Sequence, residues 1–242
     1  MQDMPLRLDR DGAERCTAAM SSEELAALLR FSDAVLQGQS GVRVFDRDEV
    51  GEILGPGGSI GRCAAAILGA AARPVRAILF DKTADNNWSV AWHQDRTITV
   101  RARHDVPGFG PWSVKAGVVH VEPPFEIIER MITIRAHLDD CADDNAPLLV
   151  VPGLHRLGRV AATRAAEIAR ELGQAVCLAD AGDLWVYATS IMHASERAQH
   201  PRRRRVLQVD YANMRLPGGL DWLGVTDPSC SLDGGAQRRN PG

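Results

Sequence analysis

The sequence contains few cysteines, and none of them lie close together. The 242 residues include five, namely Cys16, Cys63, Cys141, Cys177 and Cys230, and no two of them form a Cys-x-x-Cys motif. An odd number of widely spaced cysteines is typical of reduced thiols and argues against a disulfide framework or a cysteine zinc site. We therefore expect a cytoplasmic protein.

Long hydrophobic runs, a signal segment and strong net charge are also absent. No apolar stretch approaches the ~18 residues that indicate a membrane span, and the polar residues 1–16 lack the apolar part of a secretory signal. The formal net charge of -3 argues against broad binding to nucleic acid or membrane surfaces. We expect a small-molecule partner, with neither nucleic acid nor membrane. Composition and pattern leave the oligomeric state open.

Helical signals are concentrated in the first part of the chain. Ser21 and Glu24 have the spacing of a capping box, and the apolar residues that follow, as far as Leu36, have helical spacing. Ser59 follows a glycine-rich break and is predicted to cap a second helix that ends near Ala72. We interpret residues 1–73 as a helical N-terminal flank.

The rest of the chain has the pattern of short strands separated by glycine and proline. Strands are predicted at residues 75–80, 88–92, 130–138, 148–151, 175–178, 184–187 and 205–211, with a helical insertion at 161–172. Many short strands after helices favour a mainly β fold with flanking helices, built on a double-stranded β-helix, that is, a cupin-like jelly roll. We expect one domain over residues 1–242, with a jelly-roll core at 74–212 and a C-terminal tail at 213–242.

Three residues have the pattern of a metal site. His93 and Asp95 are two positions apart, so on an extended segment both side chains point to the same side. His193 follows another predicted strand. A His-x-Asp pair with a distant histidine is the facial triad that holds non-haem Fe(II) and leaves positions open for substrate and O2. Arg204 adds a fork that binds a carboxylate, so the four residues indicate an iron enzyme with a keto-acid cosubstrate.

Asp95 also bears on the type of reaction. A carboxylate as third ligand leaves three positions open on the metal, two for a keto acid and one for O2. A glycine or alanine there would free a fourth position for halide. Hydroxylation or a related oxidation is therefore favoured over halogenation.

Several motifs together resemble the phytanoyl-CoA dioxygenase (PhyH-like) family. They are Trp92–Asp95, residues 134–140, Asn145–Leu148, Val151–Arg156 and the pair His193 and Ser195 with Arg204, and they lie between about Ile78 and Tyr211. The resemblance implies an Fe(II)- and 2-oxoglutarate-dependent oxygenase. His93, Asp95 and His193 would hold the iron, and Arg204 with the hydroxyl of Ser195 would bind the distal carboxylate of 2-oxoglutarate. One departure is Ala146, where the family commonly has glycine.

Other residues are candidates for contacts in the same site. Lys82, before the His-x-Asp motif, and Thr133, on a strand face that could point into the barrel, are predicted to contact the cosubstrate. The long segment 97–126 follows Asp95 directly, and we expect it to cover the pocket as a lid-like insertion. Its best candidates for substrate contact are Lys115, His120 and Trp112, and Arg135 is a further candidate on the strand of Thr133.

These observations predict an Fe(II)- and 2-oxoglutarate-dependent dioxygenase that uses O2. We expect it to hydroxylate an unactivated C–H bond of a small polar or anionic metabolite and to release succinate and CO2. Two alternatives remain at this point. One is a cupin-type metalloenzyme that does not use 2-oxoglutarate, and the other is a non-catalytic sensor that binds 2-oxoglutarate.

Overall fold

A computed structural model describes residues 5–225 of the chain. Cys230 and the rest of the predicted tail after residue 225 lie outside the described residues. The helices are α1 (Leu8–Asp11), α2 (Ser22–Leu36), α3 (Gly51–Leu54), α4 (Ser59–Leu68), α5 (Phe125–Glu129) and α6 (Ala165–Leu172). Short 3-10 turns lie at Asp48–Val50, Leu154–Arg156 and Ala162–Arg164. No helix within residues 5–225 is long and apolar enough to cross a membrane.

The strands form three antiparallel sheets. They are β1 (Ala13–Cys16), β2 (Gly41–Val44), β3 (Arg73–Lys82), β4 (Val90–His93), β5 (Ile98–Val100), β6 (Trp112–Lys115), β7 (Val118–Val121), β8 (Ile132–His137), β9 (Leu148–Val150), β10 (Ala175–Cys177), β11 (Leu184–Ala188), β12 (His193–Ser195) and β13 (Arg204–Ala212). The large sheet has the order β1-β11-β8-β13-β3-β2, the small sheet β10-β9-β12-β4, and the third sheet β5-β7-β6. The mainly β architecture with flanking helices is as predicted.

The two main helices of the flank are linked through one carboxylate. The predicted capping box of α2 is present, because Glu24 N–H donates to Ser21 Oγ at 3.2 Å and Ser21 N–H donates to Glu24 Oε2 at 2.9 Å. Glu24 also accepts from the backbone N–H of Ser59 at 2.7 Å. The prediction for α4 was wrong in detail. Gly58 is its N-cap, Ser59 is its first residue, and it ends at Leu68 because Gly69 has a φ of 84°.

The flank is not purely helical, because β1 and β2 come from it and form the two edges of the large sheet. The outer face of that sheet is apolar and packs against the helices, as Ile134, Leu207 and Leu79 do against Leu28 and Ile60. This leaves the alternate residues of the same strands facing the small sheet. The site lies between this inner face and the small sheet.

Direct strand pairing sets the order of side chains on the inner face. Arg204 pairs with Lys82, Gln208 with Arg135, and Asp210 with both Thr133 and, on the other side, Arg76. Paired residues in an antiparallel sheet lie on the same side. A stripe of polar and charged residues therefore runs along the inside of the jelly roll.

The segment 97–126 differs from the expected long loop. It contains the third sheet, whose strands are only three or four residues long. Val100 and Val121 of this sheet pack with Val75, Met131 and Trp222 in a hydrophobic cluster of their own. That cluster fixes the segment to the start of β3 and to the region after β13. Its role as a cover for the pocket stays a prediction.

Candidate metal centre

Three side chains converge at one end of the jelly roll. His93, at the end of β4, pairs directly with His193, at the start of β12, and the two ring centroids are 4.3 Å apart. Asp95 follows two residues later. One ligand atom from each of His93, Asp95 and His193 lies within 4.8 Å of the other two. The spacing is that of a metal centre.

The ring orientations of both histidines are fixed by backbone carbonyls. His93 Nδ1 lies 2.8 Å from the carbonyl oxygen of Ala91, and His193 Nδ1 lies 3.0 Å from that of Ile191. A carbonyl oxygen only accepts, so each Nδ1 carries the hydrogen and each Nε2 keeps its lone pair free. Ligating histidines in metal centres are commonly held in this way.

The protonation states also suit a divalent metal. Burial lowers the pKa of His193 to about 4, although Asp95 acts in the opposite direction. Burial would raise the pKa of Asp95, but the charge of Arg76 and then those of His193 and His93 lower it below its ordinary value. The centre thus offers imidazole nitrogen and ionised carboxylate, which is the donor set of the Fe(II) facial triad.

Arg76 supports the carboxylate of this set, and the sequence did not reveal it. Its Nη2 lies 3.2 Å from Asp95 Oδ2, and its Nε donates to Asp210 Oδ2. Asp210 Oδ1 accepts in turn from Thr133 Oγ1 at 3.0 Å. The only sequence signal was an arginine inside the otherwise apolar stretch 75–80. This chain of contacts orients Asp95 from the large sheet.

Gln94, between two of the three residues, anchors the turn. Its Nε2 donates to the carbonyl oxygens of Gly158 at 2.9 Å and Ser190 at 2.8 Å, and its Oε1 accepts from Val160 N–H at 2.8 Å. It therefore ties the His-x-Asp turn both to the loop before His193 and to residues 158–160.

Further along the inner face lies a cluster of three buried cations, Lys82, Arg135 and Arg204. Lys82 Nζ donates to the carbonyl oxygens of Trp88 at 2.7 Å and Glu196 at 2.9 Å and lies 3.4 Å from Ser195 Oγ. Arg135 Nη1 donates to Gln208 Oε1 at 2.8 Å. None of the three has a carboxylate partner among residues 5–225.

The charges of this cluster act on one another. Burial, followed by Arg204 and Arg135, lowers the pKa of Lys82 to about 8. Burial, followed by Arg135, lowers the pKa of Arg204 as well. Both shifts mean that the cations repel each other in a dry environment, which an anionic ligand would relieve.

Several buried polar atoms near the cluster lack a hydrogen-bond partner. Among the described residues they include Nε of Arg135, Nε of Arg204, Nδ2 of Asn145 and both ring nitrogens of His137. Burial, followed by the charges of Arg135 and Arg204, lowers the pKa of His137 well below its ordinary value. Buried donors without partners are rare in proteins. A set of them at one place therefore indicates that a ligand with hydrogen-bond acceptor atoms binds there.

Ala146 has a backbone conformation that favours glycine, which is the residue that the family commonly has at this position. Its φ is 54°, in the left-handed region that favours glycine. Its carbonyl oxygen accepts from Arg204 Nη1 at 2.8 Å and from Ser195 Oγ at 3.2 Å. With alanine in place of glycine, the carbonyl oxygen at position 146 therefore still holds the side chains of Arg204 and Ser195.

The model of the family described as Phytanoyl-CoA dioxygenase (PhyH) matches residues 8–206. The chain belongs to this family. It is an Fe(II)- and 2-oxoglutarate-dependent dioxygenase, and Fe(II), 2-oxoglutarate and O2 are its cofactor and cosubstrates. This membership sets aside the cupin enzyme without 2-oxoglutarate and the non-catalytic sensor. No curated protein sequence matches the chain.

Solved structures share the fold at low sequence identity. The non-haem α-ketoglutarate-dependent epimerase SnoN from nogalamycin biosynthesis is 17% identical, with 88% of each chain covered and a TM-score of 0.60. EctD from S. alaskensis in its apo form is 18% identical, with 94% of this chain and 84% of that chain covered and a TM-score of 0.58. HygX from Streptomyces hygroscopicus, with nickel and 2-oxoglutarate bound, is 12% identical, with 85% and 83% covered and a TM-score of 0.58. The predicted double-stranded β-helix is confirmed.

The other predicted contact residues are found in different places. The hydroxyl of Thr133 forms hydrogen bonds with Asp210 and with Thr189, at 3.0 Å each. Through Asp210 it therefore belongs to the chain of contacts that orients Asp95. Arg135, expected near the substrate, lies in the cation cluster. Cosubstrate contact by Thr133 and substrate contact by Arg135 stay predictions.

The remaining three candidates lie on the third sheet. Lys115 is exposed, and the ring of Trp112 stacks against the guanidinium of Arg103 at 5.4 Å. His120 is buried, with its Nδ1 2.9 Å from the carbonyl oxygen of Val118 in the same strand. Burial, and then the nearby charges of Arg43 and Arg76, lower the pKa of His120. Contact of these residues with the substrate also stays a prediction.

We predict that Arg76→Met weakens Fe(II) binding by about 10- to 100-fold, the usual effect of removing a group that orients a metal ligand. Without Arg76, Asp95 loses its contact with the large sheet. Anaerobic calorimetric titration of the apoprotein with Fe(II) measures this. The control is Arg73→Met, at the exposed start of the same strand. Equal Fe(II) affinities in the two variants would contradict the role of Arg76.

Proposed function

We propose that the enzyme hydroxylates an unactivated C–H bond of a small polar or anionic metabolite and converts 2-oxoglutarate to succinate and CO2. The observation that carries this proposal is the combination, between the small sheet and the inner face of the large sheet, of a His-Asp-His centre and a buried cation cluster without a carboxylate partner among the described residues. The first suits a divalent metal and the second suits the free end of a dicarboxylate.

In this proposal His93, Asp95 and His193 hold the iron. When bound, Fe(II) with 2-oxoglutarate supplies the oxidising power for attack on a C–H bond. The protein contributes the position of the ligands, through Gln94 and Arg76. An ionised Asp95 would serve as the third protein ligand of the metal in place of a halide, and this favours hydroxylation.

Arg204, Ser195 and Lys82 bind the distal carboxylate of 2-oxoglutarate in this proposal. Ser195 is two residues from His193 on β12, roughly 6–7 Å at ~3.3 Å per residue. A five-carbon dicarboxylate spans such a distance from metal to cation cluster. Arg204 offers a planar fork, and its unpartnered Nε can join the interaction. Arg135 adds a further positive charge on the same side.

Part of the wall between the two ends is apolar, beside Gln208, Arg135 and His137 in the same rows of the sheet. Ile78, Phe80 and Val206 occupy the inner-face positions between Arg76 and Lys82 and between Arg204 and Gln208, according to the strand register. The carbon chain of 2-oxoglutarate would lie against this wall. In a dry environment the attraction between guanidinium and carboxylate is stronger than in water.

We predict that Asp95→Ala abolishes succinate formation, because the remaining histidines do not hold iron in an ordered centre. The test incubates the enzyme with Fe(II), 2-oxoglutarate, O2 and a panel of small metabolites and measures succinate and O2 uptake. Asp105→Ala, which removes an exposed carboxylate in the segment 97–126, is the control. Substantial succinate formation by Asp95→Ala would refute the proposed centre.

We predict that affinity for 2-oxoglutarate falls as the pH rises through about 8. Below this pH the Lys82 ammonium attracts the distal carboxylate, and above it the neutral amine does not. Lys82→Met should bind more weakly at about pH 7 and show little change up to about pH 9. Anaerobic calorimetry of the iron-loaded proteins measures both affinities. The same pH dependence in both proteins would exclude Lys82 as its source.

A further inference from the structure

The hydroxyl of Tyr187 is a buried polar group that has no place yet in the metal centre or in the cation cluster. Tyr187 lies in β11 and has no exposed surface. Among the described residues, its hydroxyl oxygen has no hydrogen-bond partner. Tyrosine hydroxyls usually have a partner when they are buried. One without a partner therefore indicates an acceptor atom that arrives with a ligand.

The strand register places this side chain on the inner face of the large sheet. Tyr187 pairs with Thr133 of β8, and Thr133 pairs with Asp210 of β13. Paired residues in an antiparallel sheet lie on the same side. Val186, the preceding residue of β11, points the other way and packs in the cluster under the helices. Tyr187 thus shares a row with the residues that orient Asp95.

The ring of Tyr187 lies beside a candidate metal ligand. Its centroid is 5.6 Å from that of the His193 ring, and the two ring planes are inclined by 49°. Val150, which pairs with His193 in the small sheet, belongs to the same hydrophobic cluster as Tyr187. Tyr187 of the large sheet therefore packs against the small sheet next to the metal centre.

The hydroxyl lies within range of charges at both ends of the site. Burial raises the pKa of Tyr187, the charge of Arg135 opposes this shift, and the charges of Asp95 and Asp210 add to it. Arg135 belongs to the cation cluster, whereas Asp95 belongs to the metal centre. The hydroxyl is therefore placed where a molecule that extends from the metal to the cations would meet it.

Resting on the proposed function, we propose that the hydroxyl of Tyr187 donates a hydrogen bond to the metal-binding end of 2-oxoglutarate. A tyrosine hydroxyl is protonated at neutral pH and offers one donor, for which a carboxylate oxygen is a strong acceptor. Arg204, Ser195 and Lys82 bind the opposite, distal end. The cosubstrate is then held at both ends, and Tyr187 orients the end that contacts the metal.

The test distinguishes the two ends of the cosubstrate with two probes. 2-Oxopentanoate has the same 2-oxo acid end as 2-oxoglutarate, but a methyl group replaces the distal carboxylate. Each probe is titrated anaerobically into protein loaded with Fe(II), and calorimetry measures its affinity. The visible charge-transfer band of the chelate at saturating 2-oxoglutarate reports on the metal-binding end separately.

The decisive variant is Tyr187→Phe, which removes only the hydroxyl. We expect it to bind both keto acids about tenfold or more weakly than the wild type, as for a lost hydrogen bond to a charged group. Its charge-transfer band should also shift, because the hydrogen bond changes the charge on the chelating group. Arg204→Ala, in contrast, should weaken the binding of 2-oxoglutarate alone, since 2-oxopentanoate has no distal carboxylate.

The matched control is Tyr211→Phe, the same change at a buried tyrosine in the cluster under the helices. The hydroxyl of Tyr211 donates to the carbonyl oxygen of Leu54 at 2.8 Å. This variant should therefore unfold at a lower temperature and keep the wild-type affinity for both keto acids. The apoprotein of Tyr187→Phe should be at least as stable as the wild type, because the hydroxyl that it loses has no partner.

Three results for Tyr187→Phe would overturn the inference and leave the proposed function standing. They are unchanged affinity for 2-oxoglutarate, a loss of affinity for 2-oxoglutarate but not for 2-oxopentanoate, and a band at the wild-type wavelength. The first is also the result expected if the hydroxyl contacts the primary substrate instead. If the wild type binds 2-oxopentanoate too weakly to measure, the affinity for 2-oxoglutarate and the band decide. A wild type that forms no band with 2-oxoglutarate would instead remove the proposed function, and the inference with it.

Discussion

The direct pairing of His93 with His193 is the constraint on which the rest of the site depends. Two short strands of the small sheet bring these residues together from distant parts of the chain, and their ring orientations are fixed by local carbonyls. Once this pair is formed, Asp95 needs only two further extended residues to reach the same point. Gln94 and Arg76 hold it there from the loop side and from the large sheet.

The inner face is divided into two zones of opposite charge. At one end, Asp95 and Asp210 both contact the single guanidinium of Arg76. Two carboxylates with one guanidinium leave negative charge for a divalent cation. At the other end, Lys82, Arg135 and Arg204 leave positive charge for an anion. The outer face could not contain either zone, because the helices bury it. The charged inner face of the large sheet and the ligand residues carried by the small sheet therefore form the site together.

Local patterns in the sequence predicted the parts of the site that depend on short spacing. The His-x-Asp motif and the capping box of α2 each lie within a few residues, so a single sequence reveals them, whereas the role of Ser195 beside Arg204 came from the family resemblance. Arg76 was missed because its partner Asp210 lies 134 residues away and only the strand register brings the two together. The third sheet was missed although its strands are no shorter than the predicted β9 and β10, because segment 97–126, with glycine and proline at 107–111, was interpreted as a long loop. The end of α4 depended on the φ of Gly69, which the helical spacing could not indicate.

The central claim is that the two zones bind one chelate of Fe(II) and 2-oxoglutarate. Anaerobic titration of the apoprotein with both components, followed by visible absorption, tests this most directly. We predict a weak charge-transfer band that saturates with 2-oxoglutarate and is lost in His193→Ala and in Arg204→Ala. Iron binding without any band, or a band that is unchanged in Arg204→Ala, would contradict it.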